Sequence, residues 1–402
     1  MTLIIIYIIL MALCFTNTFQ GVTVEFYLKY ILSIIWIIVF LISLIKKRKT
    51  YKKSIQFGKM FLIPYILIFI WSFFCLFVHG NLQIQYISRL IGQILYLLIT
   101  YTSVLAGVHF FGKKTIKYSL YAMFLSLTIN LITTINIYGL SNFTEYLKLM
   151  FFNVTFPKGT VMSAISGSLE VQDITIASGL YIIYYLFFAK KIDNCEDHKK
   201  EILIAIICFI LGYKRTGLIA LSLAIIFYLI IKKLKIDSQK SILLITTIVL
   251  GSSFLYLIFI KYNIIGSITT KYNINAMGRV QIYQMLSSFY DLVPWFIGQG
   301  YSYVDKVMYE SITFVSHTVI GKMYAELGCI PFVLWAIHFL RNNSKKICKN
   351  WGQENCDLYL ICIFYIFITF FFENTLTLYC IQYSLLLIPL ACKLSKVGEK
   401  NE

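Results

Sequence analysis

The sequence predicts an all-α, polytopic membrane protein, and three observations carry that expectation. Of 402 residues, 59% are hydrophobic and 17% aromatic, only 13% are charged, and the mean hydropathy is +0.77. A soluble domain carries about a quarter charged residues, so a water-soluble enzyme is excluded. A disordered chain would be polar, and a collagen-like or disulfide-stapled scaffold does not fit 21 Gly, 5 Pro and ten scattered Cys. The formal charge of +18 would suggest nucleic acid in a soluble protein. In a membrane protein a Lys/Arg excess first reports orientation.

A helix crossing the hydrocarbon needs about 20 mostly apolar residues. On that ruler about twelve spans fall at 2–18, 29–45, 60–79, 87–111, 118–139, 172–189, 201–213, 216–231, 241–260, 320–340, 357–373 and 375–392, within one membrane domain, 1–402. Residues 201–231 are too many for one ordinary span and too few for two. They read as two short helices meeting at a sunken turn, Gly212 to Gly217. Irregular backbone at such depth is tolerated where protein or a water-filled cavity surrounds it. The first span lacks a basic leader and a small-residue cleavage site, so it reads as a retained helix.

With both termini cytoplasmic, 25 of the 36 basic residues fall on the inner side, among them Lys46, Lys47, Arg48 and Lys49. The reverse orientation would place that excess outside, so the positive-inside rule chooses this one. Two outer segments are then enlarged, 140–171 and 261–319, and neither contains a Cys.

Arg48 and Arg341 belong to inner basic clusters, whereas Arg89, Arg215 and Arg279 fall at or near the outer face, where positive-inside disfavours them. Arg215 follows Lys214 in the sunken turn. A cation there faces a cavity that holds anions, or snorkels at a helix end. Arg89 opens a span and is open to the same two readings. From Arg279 onward, Val280, Ile282, Tyr283, Leu286, Phe289 and Tyr290 recur at helical spacing with polar residues between them. The expectation is an amphipathic helix against the membrane face, ended by Asp291 to Pro294. Then come Gly298-Gln299-Gly300, Ser316-His317, and Glu326-Leu327-Gly328 at the head of the next span. Singly, a Gly-x-Gly is a turn and a lone His is more often structural.

In order and context these elements resemble the bacterial O-antigen and capsular polysaccharide polymerase (Wzy) and O-antigen ligase superfamily. The matching residues are Lys214-Arg215-Thr216, Gly278-Arg279, Gly298-Gln299-Gly300, Ser316-His317 and Glu326-Leu327-Gly328. The match covers about 205–335, and the architecture matches over the whole chain. The turn reads Tyr-Lys-Arg-Thr where Ser-x-Ser-Arg is commoner, and Ser-His-Thr replaces the frequent Ser-His-Asn. The resemblance implies a multi-pass cell-membrane glycosyltransferase with its active site on the extracytoplasmic side. It would move a growing glycan from polyprenyl pyrophosphate onto a lipid-linked repeat unit, with inversion. A flippase and a chain-length regulator of the same route are the partners it implies. A ligase passing the finished polymer to another acceptor, and a lipid-linked-oligosaccharide flippase, remain as alternatives.

Such a transfer must stabilise a leaving group gaining negative charge, with a metal or with fixed cations. The outer segments lack clustered carboxylates or His at ligand spacing: Glu170 and Asp173 are three apart, and Asp305 and Glu310 stand alone. No metal and no cofactor are expected. Arg215 and Arg279 are the candidates for gripping pyrophosphate bidentately, with Lys214 and Arg89 in support. His317 is the candidate to take the acceptor's proton. Glu326, or Glu373 in the outer turn between the last two spans, is the alternative. Tyr283, Tyr290, Trp295, Tyr301 and Tyr303 are candidate saccharide contacts. His79, His109 and His338 read as structural, and no nucleic-acid partner is needed.

Overall fold

The structure is a computed structural model that describes residues 1–15, 18–19, 22–23, 28–47, 52–150, 159–169, 172–193, 198–212, 214–272, 279–312, 316–376 and 378–398. In chain order the elements begin with α1 (Thr2–Cys14), β1 (Thr18–Phe19), β2 (Val22–Thr23), α2 (Leu28–Lys47), α3 (Lys52–Val78), α4 (Ile84–Phe111) and α5 (Lys114–Tyr138). Next are α6 (Leu140–Leu149), α7 (Val161–Leu169), α8 (Gln172–Phe187), α9 (Ala189–Asp193), α10 (Lys199–Leu211), α11 (Arg215–Lys233), α12 (Ser238–Lys261) and α13 (Ile264–Lys271). The chain ends with α14 (Arg279–Ser287), α15 (Tyr303–Ile312), α16 (Val319–Leu327), α17 (Cys329–Ile337), a π-helical turn (His338–Asn342), α18 (Asn343–Trp351), α19 (Gln353–Thr369) and α20 (Tyr379–Gly398).

The described residues are helical, as the composition predicts, apart from turns, connecting loops and the two-residue antiparallel pair β1–β2, where Thr18 faces Thr23 and Phe19 faces Val22. Among the described residues six helices are long and apolar enough to cross a membrane: α2 over Leu28–Lys46, α3 over Ser54–Val78, and α4, α5, α11 and α12. Thr2–Cys14, Asp173–Phe187 and Tyr379–Lys393 are apolar but shorter. The segment expected as a span at 320–340 is broken, because Gly328, at φ +84°, separates α16 from α17. The segment 201–231 does divide into two helices, α10 of 13 residues and α11 of 19.

By packing, the chain divides into two units. The first comprises Met1–Tyr51, Ile99–Leu221 and Leu378–Glu402, and the second Lys52–Leu98 and Ser222–Thr377. Residues of α4 and α11 contribute to both.

In the first unit α1 packs on α2 and α5, and α8 packs on α10 and α20. On α2 the isoleucines 31, 34, 35, 38 and 42 are exposed, while Ser33, Trp36 and Phe40 are buried. This is the outward-apolar stripe of a lipid-facing helix, with polar and aromatic groups turned inward. The inward phenols find partners: Tyr7 Oη lies 2.7 Å from Tyr383 Oη, Ser33 Oγ 2.7 Å from Tyr379 Oη, and Ser119 Oγ 2.7 Å from Tyr181 Oη. A hydroxyl left unpaired there would cost its full desolvation, so these serines are part of the packing. Gly107 sits where a Cβ would come within 2.7 Å of Thr115 Cγ2. That leaves room for the Thr115 hydroxyl to donate to the Gly107 carbonyl at 2.9 Å.

The described parts of the first enlarged segment, 140–150 and 159–169, are mostly helical. α6 and α7 face each other over a small core of Phe143, Tyr146, Met150, Ile165 and Leu169. Leu131, Ile135 and Tyr138, at the end of α5, extend that core. We predict that Ile165→Ala, which empties its centre, costs about 2–5 kcal/mol locally. Limited proteolysis of the reconstituted protein should then cut within 140–171 faster than in the wild type.

Candidate functional site

Most of the candidate residues gather about α16 in the second unit. All nine residues of this helix are buried, including Lys322 and Glu326. A helix has orphan amides at its start and orphan carbonyls at its end, and α16 has both ends satisfied by remote segments. At its start Thr318 is the N-cap, its hydroxyl accepting from the Gly321 amide at 3.2 Å. The amides of Val319 and Ile320 both donate to the Phe370 carbonyl, at 2.9 and 3.2 Å. At its end the carbonyls of Ala325 and Glu326 accept from the Gln299 and Gly300 amides, each at 2.9 Å. The Leu327 carbonyl accepts from the Trp71 indole at 2.7 Å.

The Gly298-Gln299-Gly300 element is thus a backbone cap for Glu326-Leu327-Gly328. Its glycines are required by space as well as by φ. Gly298 and Gly300 have φ of +90° and +94°. A Cβ on Gly298 would fall on the Leu327–Gly328 peptide, and one on Gly328 on the carbonyls of Phe296 and Ile297. His79 holds the loop from outside, with Nε2 2.9 Å from the Gly298 carbonyl. Tyr324 stacks against Phe296, and its hydroxyl donates to the Asp291 carbonyl at 3.0 Å.

Arg279 opens α14, whose inward face is Ile282, Tyr283 and Leu286. That helix stops at Ser287 rather than reaching Tyr290. Lys261, the last residue of α12, caps it by donating to the Ser287 carbonyl at 3.1 Å and pairing with Asp291 at 2.9 Å. A cation at a helix C-terminus complements the helix dipole. Arg279, 30% exposed, pairs at 3.6 Å with Glu373, which is 3% exposed. Tyr256 joins α12 to this corner: its hydroxyl donates to the Phe371 carbonyl at 2.6 Å and lies 3.1 Å from the Tyr283 hydroxyl. Glu373 lies in the turn that begins at Phe370, the residue whose carbonyl caps the start of α16. Ser316-His317-Thr318 leads into that same start, with His317 half-buried.

Glu326 is fully buried, and neither carboxyl oxygen has a hydrogen-bond partner. The amides of Ser302 and Val304 lie beside it without closing a hydrogen bond. With no exposed surface it offers an acceptor hydroxyl no approach in this arrangement. Tyr301 lies over the Lys322 ammonium, 5.5 Å from nitrogen to ring centroid. Burial pushes the Tyr301 phenol up to about 12, against the pull of the Lys322 charge. Arg89 reaches this loop, donating through Nη1 to Ser302 Oγ at 3.1 Å.

Of the aromatic candidates, Tyr283, Tyr290 and Tyr301 are buried and used in packing, and the Tyr290 hydroxyl donates to the Leu257 carbonyl at 2.8 Å. Trp295, 76% exposed, is open to a ligand or to the membrane interface. Tyr303 is half-buried and packs on Tyr86 with ring centroids 5.7 Å apart. Lys214 and Arg215 belong to the first unit and are half-buried where α10 turns into α11. There Gly212 lies so close to Thr175 that a Cβ would strike its hydroxyl. Gly278 lies outside the described residues. Among those residues no three His, Cys, Asp or Glu gather in a way that could hold a metal ion.

Sequence reasoning missed the buried ion pair of Asp305 and Lys322, as well as Trp71 and Tyr256, whereas His79, read as structural, does hold backbone. Only Lys322 carried a signal, as a lysine inside an apolar run. We predict that Gly328→Ala costs about 3 kcal/mol or more, since it adds both steric overlap with the 296–297 backbone and φ strain. Thermal unfolding in detergent should show this loss, or no folded protein should be recovered. Comparison with known proteins finds no matching family model, no matching characterised protein and no matching solved structure.

Proposed function

We propose that the protein is a membrane glycosyltransferase, a polysaccharide polymerase acting on polyprenyl-pyrophosphate-linked glycans at the outer leaflet. The observation that carries this reading is the gathering about α16. Gly298-Gln299-Gly300, Ser316-His317 and Glu326-Leu327-Gly328 meet on one short helix, and Arg279 pairs with Glu373 three residues beyond the carbonyl that caps it. In this reading the three shorter apolar helices, together with α10, the broken α16–α17 and α19, bring the six long ones to about twelve passages. Both termini are cytoplasmic, and α14 to α16 face the extracytoplasmic side.

The chemistry follows from the charges. The anomeric carbon–oxygen bond of the donor glycan breaks, its electrons leave with the polyprenyl pyrophosphate, and an acceptor hydroxyl forms the new bond from the opposite face. Arg279, partly exposed, would trade the Glu373 carboxylate for pyrophosphate oxygens, which its planar guanidinium can bind in pairs. His317 would take the proton leaving the acceptor hydroxyl. Arg89, on α4 beside Ser302, would support the leaving group as a fixed cation, and Lys214 and Arg215, in the first unit, stay as further candidates for gripping phosphate.

The test is elongation in liposomes: the purified chain is given a defined lipid-linked repeat unit, and products are sized on a gel. A ladder is expected. Transfer to a different acceptor without a ladder would replace the polymerase by a ligase, and lipid movement across the bilayer without any transfer would replace it by a flippase. Arg279→Ala and Arg279→Lys should both lower elongation by about a hundredfold or more, because a lysine keeps the charge but not the bidentate grip. A wild-type rate in Arg279→Ala removes that residue from the mechanism. In intact cells a cysteine in Trp295→Cys should react with a membrane-impermeant maleimide from outside. Reaction from the cytoplasmic side alone would invert the orientation.

A further inference from the structure

Three elements of the second unit meet at one buried ion pair. Lys322, on α16, is salt-bridged to Oδ2 of Asp305, on α15. The other oxygen, Oδ1, accepts the Ser316 amide at 3.1 Å. Ser316 Oγ then bonds the Thr318 carbonyl at 3.0 Å and accepts the Thr318 amide at 3.3 Å, closing a tight turn around residue 317. Both charged side chains are largely buried, at 8% and 13% exposure. As pure stabilisation such a pair is a poor choice, since an apolar pair of similar volume is often as good or better. What an apolar pair cannot do is accept the Ser316 amide.

The geometry points to Asp305, its buried charge balanced by Lys322, as the positioning residue that holds the Ser316-His317-Thr318 turn, and with it the His317 imidazole, at the head of α16. Lys322 balances the charge that a buried Asp305 carboxylate would otherwise leave unpaired, and the Asp305 oxygen fixes the Ser316 amide ahead of His317. Glu326, one turn after Lys322 on the same helix, adds a second acidic group to the surroundings of that single ammonium. The inference rests on the polymerase reading only for the importance of His317, and its test needs no glycan.

The experiment measures how fast diethyl pyrocarbonate modifies each histidine of the full chain in lipid nanodiscs, by peptide mass spectrometry. Two double variants are compared. Asp305→Leu with Lys322→Met replaces the pair by apolar groups and removes the acceptor, whereas Asp305→Asn with Lys322→Met removes the charges but keeps an acceptor oxygen. We expect the first to raise the His317 rate roughly tenfold, the scale of a lost hydrogen bond to a charged group, and the second to stay near wild type. His79, His109 and His338, each hydrogen-bonded elsewhere in the chain, should keep their rates and so report an intact fold. Equal His317 rates in the two doubles, with those three histidines unchanged, would overturn the proposal, because a merely structural pair would be replaced equally well by either. If the Leu variant does not fold, Asp305→Ser with Lys322→Met takes its place, its side chain too short to reach Ser316, with the same expected and overturning outcomes. Loss of polymer elongation with unchanged His317 rates counts against the positioning role alone, and altered His317 rates in a chain without elongation count against the polymerase reading alone.

Discussion

A nine-residue helix cannot satisfy its own ends, and α16 leaves that task to segments far away in the chain. Its first amides need the Phe370 carbonyl, and its last carbonyls need the amides of 299 and 300 and the Trp71 indole. Buried backbone groups left unpaired would each cost about 1–3 kcal/mol. The helix therefore exists only where α3, the loop at 296–300 and the turn after α19 have already converged. That convergence brings Ser316-His317, Glu326 and the Arg279–Glu373 pair to one place.

Around this frame the charges divide by exposure. Lys322 and Asp305 are enclosed and paired, and they organise backbone. Arg279 is partly open while its partner Glu373 is not, so one side of the guanidinium stays in reach of solvent while the other neutralises a buried carboxylate. Arg89 differs again, reaching a neutral hydroxyl on Ser302.

The helical membrane class was legible because it depends on composition and on runs of about 20 apolar residues, and the turn at 212 because glycines and charges interrupt such a run. The break at Gly328 is read through because the run is apolar, although Gly328 with Pro331 three residues on is a helix-stop pattern, and the approach of the 296–297 backbone adds a second reason for glycine there. Arg279, His317 and Glu326 were legible as members of a pattern, but not their differing exposure. Asp305 looked isolated because its partner lies 17 positions on, across residues that say nothing of the contact. Tyr290 and Tyr301 looked like sugar platforms because an aromatic ring in an outer segment reads the same whether it faces solvent or packs inward.

The close approach of Gly298 and Gly328 has an evolutionary consequence. The 326–328 backbone fills the space a Gly298 side chain would need, the 296–297 backbone fills the space a Gly328 side chain would need, and each glycine also holds a backbone angle that side chains resist. No single substitution at either position, however small, leads to an equally good neighbour, and a compensating change at the other is closed because glycine has nothing left to give up. The contact therefore leaves both positions closed to single-step change.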